Sequence, residues 1–243
     1  MPTHKISPIV EAHRGDSAHA PENTLAAFAA ALALEVPAIE LDVHPAKDGT
    51  LMVLHDDTVD RTTDGTGAVC AMTTDQLLRL DAGARFAPRF AGEKIPRLTQ
   101  VLDLVAPTGA LLNIEIKSSP PGMDVPESVV QLLRRYGKQH AYVVSSFDLP
   151  ALLRVRALAP EVALALIGDG PEILPLALRH HFPWAHAHAK TVDQPLVARA
   201  HAHGIRVNVW TVDTPEQFAC WRDLGVDKIC TNRPALLLAA ARA

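Results

Sequence analysis

Residues 40–55 read Glu-Leu-Asp-Val-His-Pro-Ala-Lys-Asp-Gly-Thr-Leu-Met-Val-Leu-His, and the fold turns on how they are paired. Glu40 and Asp42 alternate with Ile39, Leu41 and Val43. On a strand, successive side chains point to opposite faces, so both carboxylates share one face. Asp48-Gly49 is a two-residue hairpin signal. A tight turn there predicts Lys47 opposite Thr50, and Asp42 opposite His55. Two carboxylates and an imidazole would then stand on one surface. Acids held so close repel unless a proton or cation lies between them, so the stretch predicts a divalent metal site with a histidine beside it.

Around this stretch, short apolar runs alternate with helical periodicity. Strands are expected at 9–12, 38–43, 110–117, 141–146, 162–167, 184–188, 206–211 and 226–230. Helices are expected at 22–34, 98–105, 125–137, 148–158, 171–180, 193–203, 214–223 and 233–241. Eight βα units in order predict an α/β fold, a (β/α)8 TIM barrel, as one domain over residues 1–243. Residues 51–55 fit the return arm of the hairpin and not a barrel stave. The connection that follows, about 57–97, is a small insertion with a short helix near 74–80, and connections of that length are commonly functional. Pro21-Glu22-Asn23 is read as a helix entry, Thr214-Pro215 as another, and Gly204 as a residue just past a helix end.

Composition narrows the class. The chain has 243 residues, 48% hydrophobic and 21% charged, with net charge −4, so it can bury a large core and lacks the basic excess of a nucleic-acid binder. Three cysteines with no CxxC spacing predict a reducing compartment and no disulfide framework. No apolar run reaches the ~18 residues of a membrane span. No strongly basic amphipathic segment marks lipid docking. The N-terminal residues lack a secretory apolar core, and the expected location is the cytoplasm.

In a barrel of this kind the chemistry gathers at the C-terminal strand ends, and this sequence places polar groups there repeatedly. His13 and Arg14 end the first strand. Asn113, Glu115 and Lys117 alternate along the third, and Asn208 and Trp210 along the seventh. A plain barrel interior would carry Val, Ile or Leu. Glu40, Asp42 and Glu115 can meet as an all-oxygen site, which suits Mg²⁺, Ca²⁺ or Mn²⁺ better than Zn²⁺. Arg14 and Lys117 beside that site fit a phosphate. His13 and His55 fit an acid–base pair. Plainer readings stay open for each: a solvated strand end for Glu40 and Asp42, a structural ion pair for Glu115 and Lys117, a core aromatic for Trp210, helix capping for Glu22 and Asn23. Trp184, His186 and His188 share one strand face and could line the pocket, with a structural role as the favoured reading. Thr62 to Gly67 lacks a nucleotide loop's Gly-Lys-Ser/Thr.

The ordered motifs resemble a known family. Ala12-His13-Arg14-Gly15, Ala20-Pro21-Glu22-Asn23-Thr24, Ile39-Glu40-Leu41-Asp42-Val43, Leu54-His55-Asp56, Asn113-Ile114-Glu115-Ile116-Lys117, Val209-Trp210-Thr211 and Thr231-Asn232-Arg233-Pro234 are similar to the glycerophosphodiester phosphodiesterases. The resemblance spans essentially the whole chain. It implies metal-dependent hydrolysis of glycerophosphodiesters to sn-glycerol 3-phosphate and an alcohol, with Mg²⁺ or Ca²⁺ held by Glu40, Asp42 and Glu115. It implies His13 and His55 as acid and base, Arg14 and Lys117 on phosphate, and Trp210 on the glycerol side. The expected partner is a small-molecule diester, with neither nucleic acid nor membrane. An enzyme acting on lysophospholipids, or a binding barrel without turnover, would share these motifs.

Overall fold

The computed structural model describes residues 7–117, 119–137 and 142–242. The N-terminal stretch read for a leader falls mostly outside the described residues, as does position 141 of the expected fourth stave. Strand β1 (Ile9–His13) pairs in parallel with β2 (Ala38–Pro45), which pairs with β4 (Leu111–Ile116). The sheet continues through β5 (Tyr142–Ser146), β6 (Ala163–Gly168), β7 (Trp184–His188), β8 (Arg206–Trp210) and β9 (Lys228–Thr231). β9 returns to β1, so eight parallel strands close a barrel. The expected (β/α)8 architecture is the observed one.

Helices α1 (Leu25–Ala33), α3 (Leu98–Val105), α4 (Val125–Tyr136), α5 (Leu149–Leu158), α6 (Ile173–Arg179), α7 (Gln194–Ala202), α8 (Pro215–Leu224) and α9 (Pro234–Arg242) surround it. The main core lies between sheet and helices. Ile39, Leu41, Ile114, Val144, Val207 and Ile229 face outward from the barrel into it, and none exceeds trace exposure. Each such side chain stabilises by roughly 1.5–3 kcal/mol. The opposite strand faces carry Glu11, Glu40, Asp42, Asn113, Glu115, His186, Asn208 and Lys228, all buried. The barrel therefore has an apolar jacket and a polar interior, and alternation along each strand produces both at once.

The hairpin register differs from the expected one by a residue. β3 (Leu51–Val53) runs antiparallel to the end of β2, with Val43 opposite Val53 and Pro45 opposite Leu51. β1 stops pairing at Glu40, which leaves the edge of β2 from Val43 onward free to accept β3. A two-residue turn at Asp48-Gly49 does not form. The loop instead runs from Ala46 to Thr50, closed by Ala46 N–H to the Thr50 carbonyl at 2.8 Å. The reason lies in the insertion. Lys47 N–H bonds the Met72 carbonyl at 2.8 Å, and Asp48 accepts from the Thr74 amide at 2.9 Å and its hydroxyl at 2.7 Å. The loop is stretched over α2 (Thr74–Leu77), which is shorter than expected. The insertion has its own apolar cluster of Met52, Leu54, Val59, Val69, Leu77 and Ile95.

Helix starts follow their caps. Thr24, Asp124, Asp193 and Thr214 each accept a backbone N–H from the first turn of α1, α4, α7 and α8, as short oxygen-bearing side chains do at that position. Gly204 follows the end of α7 with φ +72°, as its placement predicts. The entry at 22–34 needs correction, because α1 begins at Leu25 and Thr24 is its cap.

Asp48 ties the hairpin to the insertion, and hydrogen bonds from Thr74 hold its carboxyl at about 2, below the ordinary 3.8. A depressed carboxyl contributes stability above its unfolded pKa and loses it as pH falls through the folded one. Asp48→Asn should therefore lower the urea midpoint at pH 6, and the gap to wild type should close as pH falls from about 4 toward 2. An equal gap at both ends of that range would contradict the assignment.

Candidate active site

The C-terminal end of the barrel carries three buried acids. Glu40 and Asp42 come from β2 and Glu115 from β4, paired so that Asp42 lies beside Glu115 and Glu40 beside Asn113. One oxygen from each carboxylate lies within 4.8 Å of the others, and their exposures are 5%, 1% and 8%. No residue of a sheet places three anions together for packing reasons, since an ion buried without a partner costs several kcal/mol.

Positive charge answers only part of this. Lys117 Nζ sits 2.7 Å from Glu115 and 3.5 Å from Asp42. Arg14 Nε sits 3.2 Å from Asp42. Asn23 donates to Asp42 at 2.8 Å. Asp42 thus stays below the usual carboxylate range despite its burial, through Arg14 and Lys117. Glu40 is pushed well up by burial and then by the charges of Asp42 and Glu115. Burial and Asp42 raise Glu115 to about 7. Three carboxylates against two cations leave one excess negative charge. The donor set is all oxygen and short of positive charge, which fits a hard dication such as Mg²⁺ or Ca²⁺.

The histidines flank this cluster, each oriented by a relay. His13 Nδ1 bonds Asn232 Oδ1 at 2.7 Å. Asn232 itself donates to Asp213 at 2.8 Å, which fixes its amide and makes His13 Nδ1 the donor. His13 Nε2 then faces Glu40, 4.0 Å away. Burial and the Arg14 guanidinium bring His13 down to about 4, so it is neutral near pH 7. His55 Nδ1 bonds Asp56 at 2.7 Å. His55 reaches the site from the residues after β3, with its carbonyl bonded to His44 at 3.0 Å, and not by facing Asp42 across the hairpin.

A cavity of about 220 Å³ joins His13, Glu40, His55, Glu115, Lys117 and Trp210. Of the expected site residues, Asp42 and Arg14 lie behind its wall. The Arg14 guanidinium is engaged by Glu22 at 2.9 Å and by Asp42. Trp210 donates to the His186 carbonyl at 3.0 Å and meets Phe147 edge-on at 5.9 Å. His186 lines the cavity, the alternative to a structural role that its strand face left open.

Supporting residues were legible only as motif. Glu22 and Asn23 do not cap α1. Glu22 bonds Arg14 and Arg61, and against the effect of burial those bonds hold it at about 2. Arg61 from the insertion also clamps Asp56 at 2.8 Å. Arg14 and Asn23 both adopt left-handed backbone, φ +57° and +59°, an uncommon state that the surrounding bonds must maintain. Gly15 is required by contact, since a Cβ there would lie 2.5 Å from the Ala27 carbonyl carbon.

Removing one buried acid should relieve repulsion. Metal-free Glu40→Gln is expected to melt higher than metal-free wild type at pH 8 and to lose the stabilisation that Mg²⁺ or Ca²⁺ confers. Metal-free wild type should itself lose stability as pH rises from about 4.5 through about 7, the range over which raised Glu115 ionises. A lower melting temperature for Glu40→Gln would contradict the repulsion argument.

Comparison with known proteins agrees with this geometry. Residues 13–236 match the model of the glycerophosphoryl diester phosphodiesterase family. A glycerophosphodiester phosphodiesterase of Caldanaerobacter subterraneus is 38% identical over 239 residues, 96% of this chain and 98% of the relative. One from Bacillus altitudinis is 33% identical, covering 92% and 94%. Among solved structures, an Oleispira antarctica phosphodiesterase in complex with the product sn-glycerol-3-phosphate superposes with TM-score 0.92 at 29% identity over 97% of each chain. A glycerophosphodiester phosphodiesterase from Agrobacterium tumefaciens gives TM-score 0.85 at 32% identity, covering 96% and 99%. By sequence along nearly its full length and by the barrel that sequence builds, this chain belongs to the glycerophosphoryl diester phosphodiesterase family.

Proposed function

We propose that the protein hydrolyses glycerophosphodiesters to sn-glycerol 3-phosphate and an alcohol. The observation that carries this reading is one cavity lined by two acids of a three-carboxylate cluster and by two imidazoles with separate orienting relays. Glu40, Asp42 and Glu115 would hold a divalent cation. When bound, that cation supplies Lewis acidity toward a phosphate oxygen and orients the substrate.

The chain's own groups then divide the work. Lys117 binds the phosphate as a point charge, and Arg14 supplies positive potential from behind Asp42. Neutral His13 offers its Nε2 lone pair as the base. His55, backed by the Asp56 carboxylate, is suited to carry a proton and deliver it to the leaving alkoxide. The nucleophile is the glycerol hydroxyl next to the phosphoester carbon. Its oxygen bonds phosphorus, the P–O bond to the alcohol breaks, and His55 protonates the departing oxygen. The resulting cyclic phosphate is opened by water, with the two histidines exchanging roles. Attack from within the substrate gains from proximity. Trp210 closes the side of the cavity.

Assay of the Mg²⁺- or Ca²⁺-loaded enzyme on choline, ethanolamine and glycerol diesters should release glycerol phosphate; no release from any of them would end the reading. A diester with 4-nitrophenol as alcohol needs no proton on its leaving group. His55→Ala should retain most of the initial rate of 4-nitrophenol release from it while losing about 10²–10⁴-fold on glycerophosphocholine, and His13→Ala should lose both. A substrate lacking the 2-hydroxyl should turn over negligibly. Full turnover of it would replace the cyclic route by direct attack of water.

A further inference from the structure

Beneath the acids, the barrel floor is polar where packing alone would make it apolar. Glu11 and Lys228 form an ion pair with zero exposure on either side chain. Asn208 Nδ2 donates to Glu11 Oε2 at 3.3 Å, which fixes the amide and leaves Oδ1 as an acceptor. Asn208 Oδ1 and His186 Nε2 are both buried and have no hydrogen-bond partner among the described residues. The two residues are direct neighbours across β7 and β8, at 1% and 2% exposure. Both line the cavity that holds His13, Glu40 and Glu115. A buried polar atom left unsatisfied is destabilising, and such atoms in native proteins call for a partner. None of the steps above uses them.

We propose that His186 and Asn208 form a hydroxyl-reading subsite that receives the free terminal hydroxyl of the glycerol half of the diester; the assignment rests on the diesterase reading. The hydroxyl donates to Asn208 Oδ1 and accepts from a ring N–H of His186. Burial and the nearby Lys228 keep His186 neutral, so it retains one N–H and one lone pair. The Glu11–Lys228 pair sets the amide orientation, and with Trp184, over whose ring Lys228 Nζ lies at 5.0 Å, closes the floor. An acyl chain on that hydroxyl removes the donor and meets a sealed wall, so lysophospholipids are excluded. The alcohol half is left at the mouth, where Phe147 is 51% exposed against Trp210.

The test compares kcat/KM for glycerophosphocholine with that for its analogue bearing hydrogen in place of the terminal hydroxyl and keeping the 2-hydroxyl. Wild type should prefer the glycerol diester by about 10- to 100-fold. Asn208→Leu and His186→Phe should bring that ratio within about threefold of unity, chiefly by raising KM for the glycerol diester. Equal use of the two substrates by wild type overturns the subsite, and this comparison decides the matter even when both variants fail to fold. An undiminished preference in both folded variants also overturns it. Wild type inert toward both diesters overturns the diesterase reading itself, whereas turnover without discrimination overturns the floor alone.

Discussion

Three carboxylates share one end of a barrel that gives them too little positive charge, and the surrounding structure is organised about that repulsion. Arg14, Lys117 and Asn23 converge on Asp42 and keep it ionised. Glu40 and Glu115 receive less and are pushed upward. The three acids therefore repel one another, and the cluster could hold a metal ion. Stability given up here is offset by the apolar jacket outside the sheet, where strand and helix faces bury Ile, Leu and Val throughout.

The second constraint is orientation of the imidazoles. Each ring is held through Nδ1, His13 by Asn232 and His55 by Asp56. The two relays come from opposite ends of the chain. Asp213 and Asn232 hold His13 from the seventh and eighth βα loops. Asp56 and Arg61, within the insertion, hold His55, and Arg61 reaches back to Glu22 beside Arg14. The insertion is thus a bracket for one histidine, which explains why its own apolar cluster and the Asp48–Thr74 tie fix it against β2.

Much of this was legible in sequence because period-two alternation is a local property. Alternating acids and aliphatics along 39–43, and polar residues along 113–117 and 208–210, placed the acids, Lys117 and Trp210 on inward faces. The hairpin was misread by one residue because Asp48-Gly49 looks like a two-residue turn in isolation. Its side chain is instead consumed by Thr74, 26 positions away. Glu22 and Asn23 looked like helix-entry residues for the same reason. Their partners, Arg14, Arg61 and Asp42, are fixed only when the first βα loop folds over the barrel mouth.

What the sequence determined by itself was the barrel, the inward acids and the two histidines, since strand alternation and motif order need no knowledge of distant contacts. Only the tertiary structure decided the register of the hairpin, the relays on His13 and His55, and the polar floor under the cavity. Those depend on pairs such as Glu11 with Lys228, separated by nearly the whole chain. Closure of the last strand onto the first brings them together, and no local pattern records which side chains will meet there.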